Sequence, residues 1–226
     1  MKSIFAILTI LLTIAFTGCN SENPVNQNLP ANPKIMFINA SPYSSTGYVS
    51  FIINGDTTSS LQVLYGKYIG YKDIKSGHND IKVKFFYNTD TVTLNFTKSF
   101  ESEKYYSCIA YDVGSPSSSA AVFLNDKPVI PNFNTIKVRV ANFLASEQPV
   151  NFYQIPSFKL FQNIDFTVAS DFYQLEPGTY NFSVKYSADT SNTILQIFGQ
   201  NLSLPRAYSY IIAGYNNSPI YIETIY

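Results

Sequence analysis

Between Gly178 and Tyr186 the side chains alternate. Tyr180, Phe182, Val184 and Tyr186 are interleaved with Thr179, Asn181, Ser183 and Lys185, the period of two that predicts a half-buried β-strand. In the first half of the chain Ile81, Val83 and Phe85 keep the same phase against Lys82 and Lys84. Asn54-Gly55 follows the apolar run VSFII, and because both residues tolerate positive φ a hairpin turn is predicted there. Short apolar runs separated by turn residues continue to the end of the chain, and no window reads as a long amphipathic helix. The pattern predicts an all-β fold of sandwich type.

The pattern is also written twice. KSGHNDIKVKFFY from Lys75 aligns with EPGTYNFSVKYSA from Glu176, placing Gly77 on Gly178, Val83 on Val184 and Phe85 on Tyr186. KYYSCIAYD from Lys104 aligns with RAYSYIIAG from Arg206, placing Tyr106 on Tyr208 and Ser107 on Ser209, and IMFINA from Ile35 aligns with KVRVAN from Lys137. Several matches in one order at nearly one offset predict a tandem duplication. The expectation is two tandem antiparallel β-sandwiches, immunoglobulin-like or transthyretin-like, over residues 34–126 and 135–226, joined by a linker at 127–134 and folding separately.

The front of the chain departs from this pattern. Lys2 precedes a run from Ile4 to Phe16 that is apolar except for Thr9 and Thr13. A bilayer core needs about 20 apolar residues, so the run is too short to span and fits a signal-peptide core. Thr17 and Gly18 then lead to Cys19. This segment resembles a bacterial lipobox, with Phe16 where Leu is usual. The resemblance implies removal of residues 1–18, acyl chains on the Cys19 thiol and a lipoprotein of the outer membrane, facing either the periplasm or the surface. Each buried methylene contributes about 0.8 kcal/mol, so two or three chains anchor where one barely holds. Residues 19–33 are rich in Asn and Pro and read as a flexible tether.

Composition narrows the function classes. The chain has 15 basic and 15 acidic residues, which is not the basic footprint of a nucleic-acid binder. Apolar residues make up 46% and aromatic ones 16%, ample for packed cores. With Cys19 acylated, Cys108 has no partner for an intrachain disulfide.

Several residues invite a chemical reading. His78 is the sole histidine, and neither a nucleophile set nor a zinc cluster surrounds it, so it reads as a solvent-facing turn residue. Cys108 sits mid-strand and reads as a small core hydrophobe. YNTDT at Tyr87 and SADTSN at Ser187 lack the spaced carboxylates of a calcium loop and read as hairpin turns. The remaining stretch is YGKYIGY, where Tyr65, Tyr68 and Tyr71 are spaced so that an extended chain splits them between faces. At least one exposed ring there is a candidate binding surface for a glycan or a protein; the competing reading is that the rings pack and the glycines make a bulge.

FINASP at Phe37, VSFIINGD at Val49 and LYGKYIGYKDIKSGHNDIKV at Leu64 together resemble the bacterial domain of unknown function 4397 family. Asn39 stands where that family usually has His, so no role of that His is carried over. The resemblance covers Lys34 to about Leu124 well and 135–226 weakly. It implies an extracytoplasmic β-sandwich of unassigned activity. The function expected is a non-enzymatic structural or binding module held at the membrane through Cys19, with no cofactor and no metal. The alternative is a carbohydrate-binding module using exposed tyrosines, and its partner an envelope protein or a glycan.

Overall fold

The computed structural model describes residues 31–43, 47–88, 90–126, 134–215 and 217–226. The signal peptide at 1–18, Cys19, the tether as far as residue 30 and nearly all of the linker at 127–134 lie outside the described residues. Residues Ala31–Tyr226 form one compact unit.

In its first half the strands are Lys34–Asn39 (β1), Tyr48–Ile53 (β2), Asp56–Leu64 (β3) and Tyr68–Asp73 (β4). Gly77–Phe86 (β5), Thr91–Phe100 (β6), Tyr105–Tyr111 (β7) and Ala120–Asn125 (β8) complete it. The second half runs Ile136–Leu144 (β9), Val150–Gln154 (β10), Phe158–Ile164 (β11) and Tyr173–Leu175 (β12). It ends with Gly178–Tyr186 (β13), Leu195–Leu202 (β14), Ala207–Tyr215 (β15) and Ser218–Ile225 (β16). The fold is all-β and built of packed sheets.

The sheets have the orders β4-β1-β7-β8 and β3-β2-β5-β6, then β12-β9-β15-β16 and β11-β10-β13-β14. Adding eight to each strand number of the first pair returns the second. Most neighbours are antiparallel, but β1 runs parallel to β7 and β9 parallel to β15. A parallel pair needs a long crossover, and here the chain makes it by visiting the other sheet between the two strands. Asn54 and Gly55 connect β2 to β3 with φ of 51° and 75°, as a tight hairpin requires.

Alternation along each strand decides what is buried. Ile35 and Phe37 of β1, Phe51 of β2, Val83 and Phe85 of β5 and Cys108 of β7 fill the core between the first two sheets. Val138 and Val140, Phe152, Phe182 and Val184, and Tyr210 fill the second. The other faces of β1, β7, β9 and β15 are apolar too. Met36, Ile38 and Ile109 meet Ala141, Phe143, Ile211 and Ile222 in a third core. The sheets therefore stack in four layers, and the inner strands are buried on both faces. Such strands read as near-continuous apolar runs, as IMFI, CIA and YIIA do.

Register lets the two halves be compared residue by residue. Ile35 and Val138 both point into inner cores, so β1 matches β9 with Ile35 on Val138. The alignment of IMFINA on KVRVAN is off by one residue, a slip that flips every side chain to the other face. In the corrected register Asn39 falls on Asn142, and the two do the same work. Asn39 Nδ2 donates to Val63 O and its Oδ1 accepts from Ser41 N. Asn142 Nδ2 donates to Ile164 O and its Oδ1 accepts from Leu144 N. Each ties the end of an inner strand to the opposing sheet.

Candidate functional site

The seam between the two inner sheets carries the buried polar chemistry. Met36 of β1 has Arg139 as its counterpart on β9, and a guanidinium in the third core needs a partner. Asp126, just past β8, supplies it. Arg139 Nη2 donates to Asp126 Oδ1 at 2.5 Å, with 6% and 0% of the two side chains exposed. Ser107 Oγ and Tyr71 Oη both donate to Asp126 Oδ2 at 2.7 Å. Arg139 Nε donates to Ser209 Oγ at 2.6 Å, and Nη2 reaches Tyr226 Oη at 2.6 Å. The ring faces of Phe172 and Tyr226 lie 4.9 and 5.4 Å from the guanidinium carbon. Burial works against the Arg139 charge, yet Tyr226 and Asp126 raise its pKa above an ordinary arginine's.

The aligned pair Ser107 and Ser209 thus serve opposite ends of one ion pair. Sequence reasoning missed Arg139 and Asp126. The signal was available: a charge in the middle of KVRVAN occupies a position that the first half fills with methionine.

YGKYIGY runs along the same seam. Tyr71 is largely buried, its ring 5.1 Å from Tyr105 and 5.7 Å from Tyr226; burial and then the Asp126 charge push its hydroxyl pKa up. Tyr65 lies in the turn after β3 with its Oη against Gly214, on β15 of the other half. Burial, then the charge of Asp112, push Tyr65 up to about 12. Gly66 faces Ile220 of β16. Tyr68 is the open one, 38% exposed, its pKa raised by burial and then by Glu223. The three tyrosines line one seam but do not converge on one pocket.

The other candidates are placed apart. His78 is exposed at the start of β5, opposite Ser99. Cys108 is fully buried, and burial raises its thiol pKa. Asp112, beyond β7, is buried and holds the loop after β1: it accepts from Ser41 Oγ, and from Tyr43 N at 3.2 Å and Gly114 N at 3.0 Å. Among the described residues no group of three or more His, Cys, Asp or Glu could hold a metal. Cys19 lies outside them.

A family model described as a domain of unknown function (DUF4397) matches residues 33–153, more than half of the chain. The chain belongs to that family. The DUF4397 match takes in β1 to β9 and most of β10, running past Leu124 into the second half. No curated protein matches. Of solved structures, a "putative cell adhesion protein" from Bacteroides uniformis is similar at 8% identity and a TM-score of 0.29, over 85% of this chain and 97% of that one. The family CBM26 module of Eubacterium rectale Amy13K, solved with maltoheptaose, is similar at 12% identity and a TM-score of 0.25, over 86% and 95%. At these scores neither likeness bears on activity.

Proposed function

We propose that this DUF4397 protein is a non-enzymatic module of the bacterial cell envelope, held in the outer membrane by acyl chains on Cys19 and presenting a rigid body to an envelope protein or a glycan. The observation that carries the non-enzymatic part is where the buried ionisable side chains go. Asp112 fastens a loop, Asp126 and Arg139 fasten the seam, and the Cys108 thiol is enclosed in a core. General acid–base and nucleophilic chemistry need such groups open and within reach of a substrate. The third core supports the rigid-body part, since it joins the sandwiches face to face and not through a linker alone. The carbohydrate-binding alternative draws on Tyr68, the one ring of YGKYIGY left open to a ligand.

Metabolic labelling with a fatty acid, followed by fractionation, tests the anchor. The chain should label and sediment with membranes, and Cys19→Ser should lose the label and leave the membrane fraction or remain uncleaved. A Cys19→Ser chain that still labels overturns the anchor.

A further inference from the structure

The two halves differ most between their third and fourth strands. In the first, residues 65–67 turn β3 directly into β4; in the second, residues 165–172 intervene between β11 and β12. Insertions that set one repeat apart from another commonly build its binding face. This loop is held firmly along β9. Thr167 N donates to Asn142 O at 2.7 Å, Asn142 N to Val168 O at 3.1 Å and Ser170 N to Val140 O at 2.8 Å. The holding costs strain, because Thr167 sits at φ 64°. A β-branched residue there is an outlier of the kind that clusters at functional sites.

The loop walls a cleft of about 290 Å³, and Arg139 and Asp126 form its floor. Arg139 is only 5% exposed, and its Nε and Nη2 are engaged by Ser209, Asp126 and Tyr226. Among the described residues its Nη1 makes no hydrogen bond, and Arg139 lines the cleft, so these N–H groups are the donors left for a ligand there. Both Asp126 oxygens are occupied. The exposed Asp171 lines the mouth and can accept, while Val168 and Phe172 supply the apolar side.

We propose that this cleft binds one neutral sugar unit. Charge selects the class: Asp126 already balances Arg139 and Asp171 adds a second negative group, so an incoming carboxylate or phosphate meets repulsion where a hydroxyl meets a donor and an acceptor. Size agrees, since the volume falls just short of the roughly 300 Å³ at which drug-sized ligand pockets begin and suits one ring, not a chain. Carbon-bound hydrogens of the ring would rest on Val168 and Phe172. The site rests on the glycan-binding part of the proposed function and deepens it, giving that ligand a class and a place apart from Tyr68; the anchor at Cys19 does not depend on it.

Saturation-transfer NMR and calorimetry on the detergent-solubilised full chain test the site. The probes are glucose, galactose, mannose and N-acetylglucosamine, with glucuronate as the charged comparison, each up to about 50 mM to capture millimolar affinity. At least one neutral sugar should bind, more tightly than glucuronate. Asp171→Ala, at an exposed position, should leave the melting curve unchanged and weaken binding about tenfold, the loss of roughly one hydrogen bond to a charged group. Arg139→Lys keeps a positive charge beside Asp126 but removes Nη1, and should abolish binding. The proposal is overturned if no neutral sugar binds, if glucuronate binds more tightly, or if Asp171→Ala binds as the unaltered chain does. Each of those failures would leave the Cys19 labelling result untouched.

Discussion

Arg139 Nη2 donates to Asp126 Oδ1 at 2.5 Å across the seam between the two inner sheets, and the pair brackets the segment joining the two halves. Removing one member of a buried pair leaves an uncompensated charge, which costs about 3–5 kcal/mol, whereas an apolar replacement of both is far milder. Arg139→Ala and Asp126→Ala should each lower stability by about that amount in urea melts. Arg139→Met with Asp126→Asn, which installs the methionine of the first half, should cost less than either single change. If the single changes leave the midpoint where it was, the pair does not hold the seam.

The third core decides what a half can do alone. A chain from Lys34 to Asp126 keeps its inner core but bares Met36, Ile38, Ala40 and Ile109. A bare apolar sheet face is a self-association hazard. The fragment is expected to show β-type circular dichroism and to melt at a temperature that rises with its concentration, as a dimer does. The full chain should melt in one transition. Two separate transitions in the full chain, with a fragment that melts independently of concentration, would show the third core to be dispensable.

Gly214 sits where β15 passes beneath the turn of Tyr65. Its φ is 99°, and an added Cβ would stand 2.7 Å from Ser218 O and 2.8 Å from Tyr65 Oη. One of those atoms is backbone and cannot swing away. Gly214→Ala should therefore destabilise by about 2 kcal/mol or more, from strain and overpacking together. Tyr65→Phe in the same chain removes only one of the two clashes and should recover part of the loss. Full recovery would show that the β15–β16 backbone adjusts freely.

Burial raises the Asp112 pKa above its ordinary 3.8, although hydrogen bonds from Ser41, Gly114 and Tyr43 partly oppose the shift. A carboxyl with a raised folded-state pKa takes up its proton in the folded protein first, so its contribution to stability grows as pH falls through that pKa and is lost as pH rises. Urea melts of the unaltered chain and of Asp112→Asn from neutral pH down toward the ordinary carboxylate range measure it. The stability of the unaltered chain relative to Asp112→Asn should increase on acidification. A decrease would mean that the hydrogen bonds, not burial, dominate.

Much of the fold was legible because strands with one wet face announce themselves. Ile81, Val83 and Phe85 are buried and Lys82 and Lys84 are not, as their alternation predicts, and Asn54-Gly55 marks its own hairpin. The four-layer stack was not, because a period of two says which face of a strand is apolar but not what covers it. The clue lay in IMFI and YIIA, apolar on both faces, which a single sandwich does not need. Arg139 and Asp126 were overlooked for a related reason: their meaning depends on a contact across the seam that no local pattern records. The same holds for YGKYIGY, where the choice between an exposed ring and packing turns on contacts with Gly214 and Asp126 that lie far off in the sequence.

That placement makes the three tyrosines separable by experiment. Tyr71 packs on Tyr105 and Tyr226 and donates to Asp126, so Tyr71→Phe should cost about 1.5–3 kcal/mol, as for a hydrogen bond to a charged group. Tyr71→Ala should cost more, in the range of about 3–5 kcal/mol for buried aromatics. Tyr65→Ala, half-buried in the turn, should fall between. Tyr68 is 38% exposed on an edge strand, and Tyr68→Ala should shift stability by no more than about 0.5 kcal/mol, as surface changes do. If a protein or glycan docks on this stretch, Tyr68→Ala is also the change that should weaken it, on the order of 2 kcal/mol for an interface anchor. A pull-down from envelope extract and a glycan array, each run with the unaltered chain and with Tyr68→Ala, read that loss. Partners retained in full by Tyr68→Ala would remove this stretch as a docking surface and leave its tyrosines as seam packing alone.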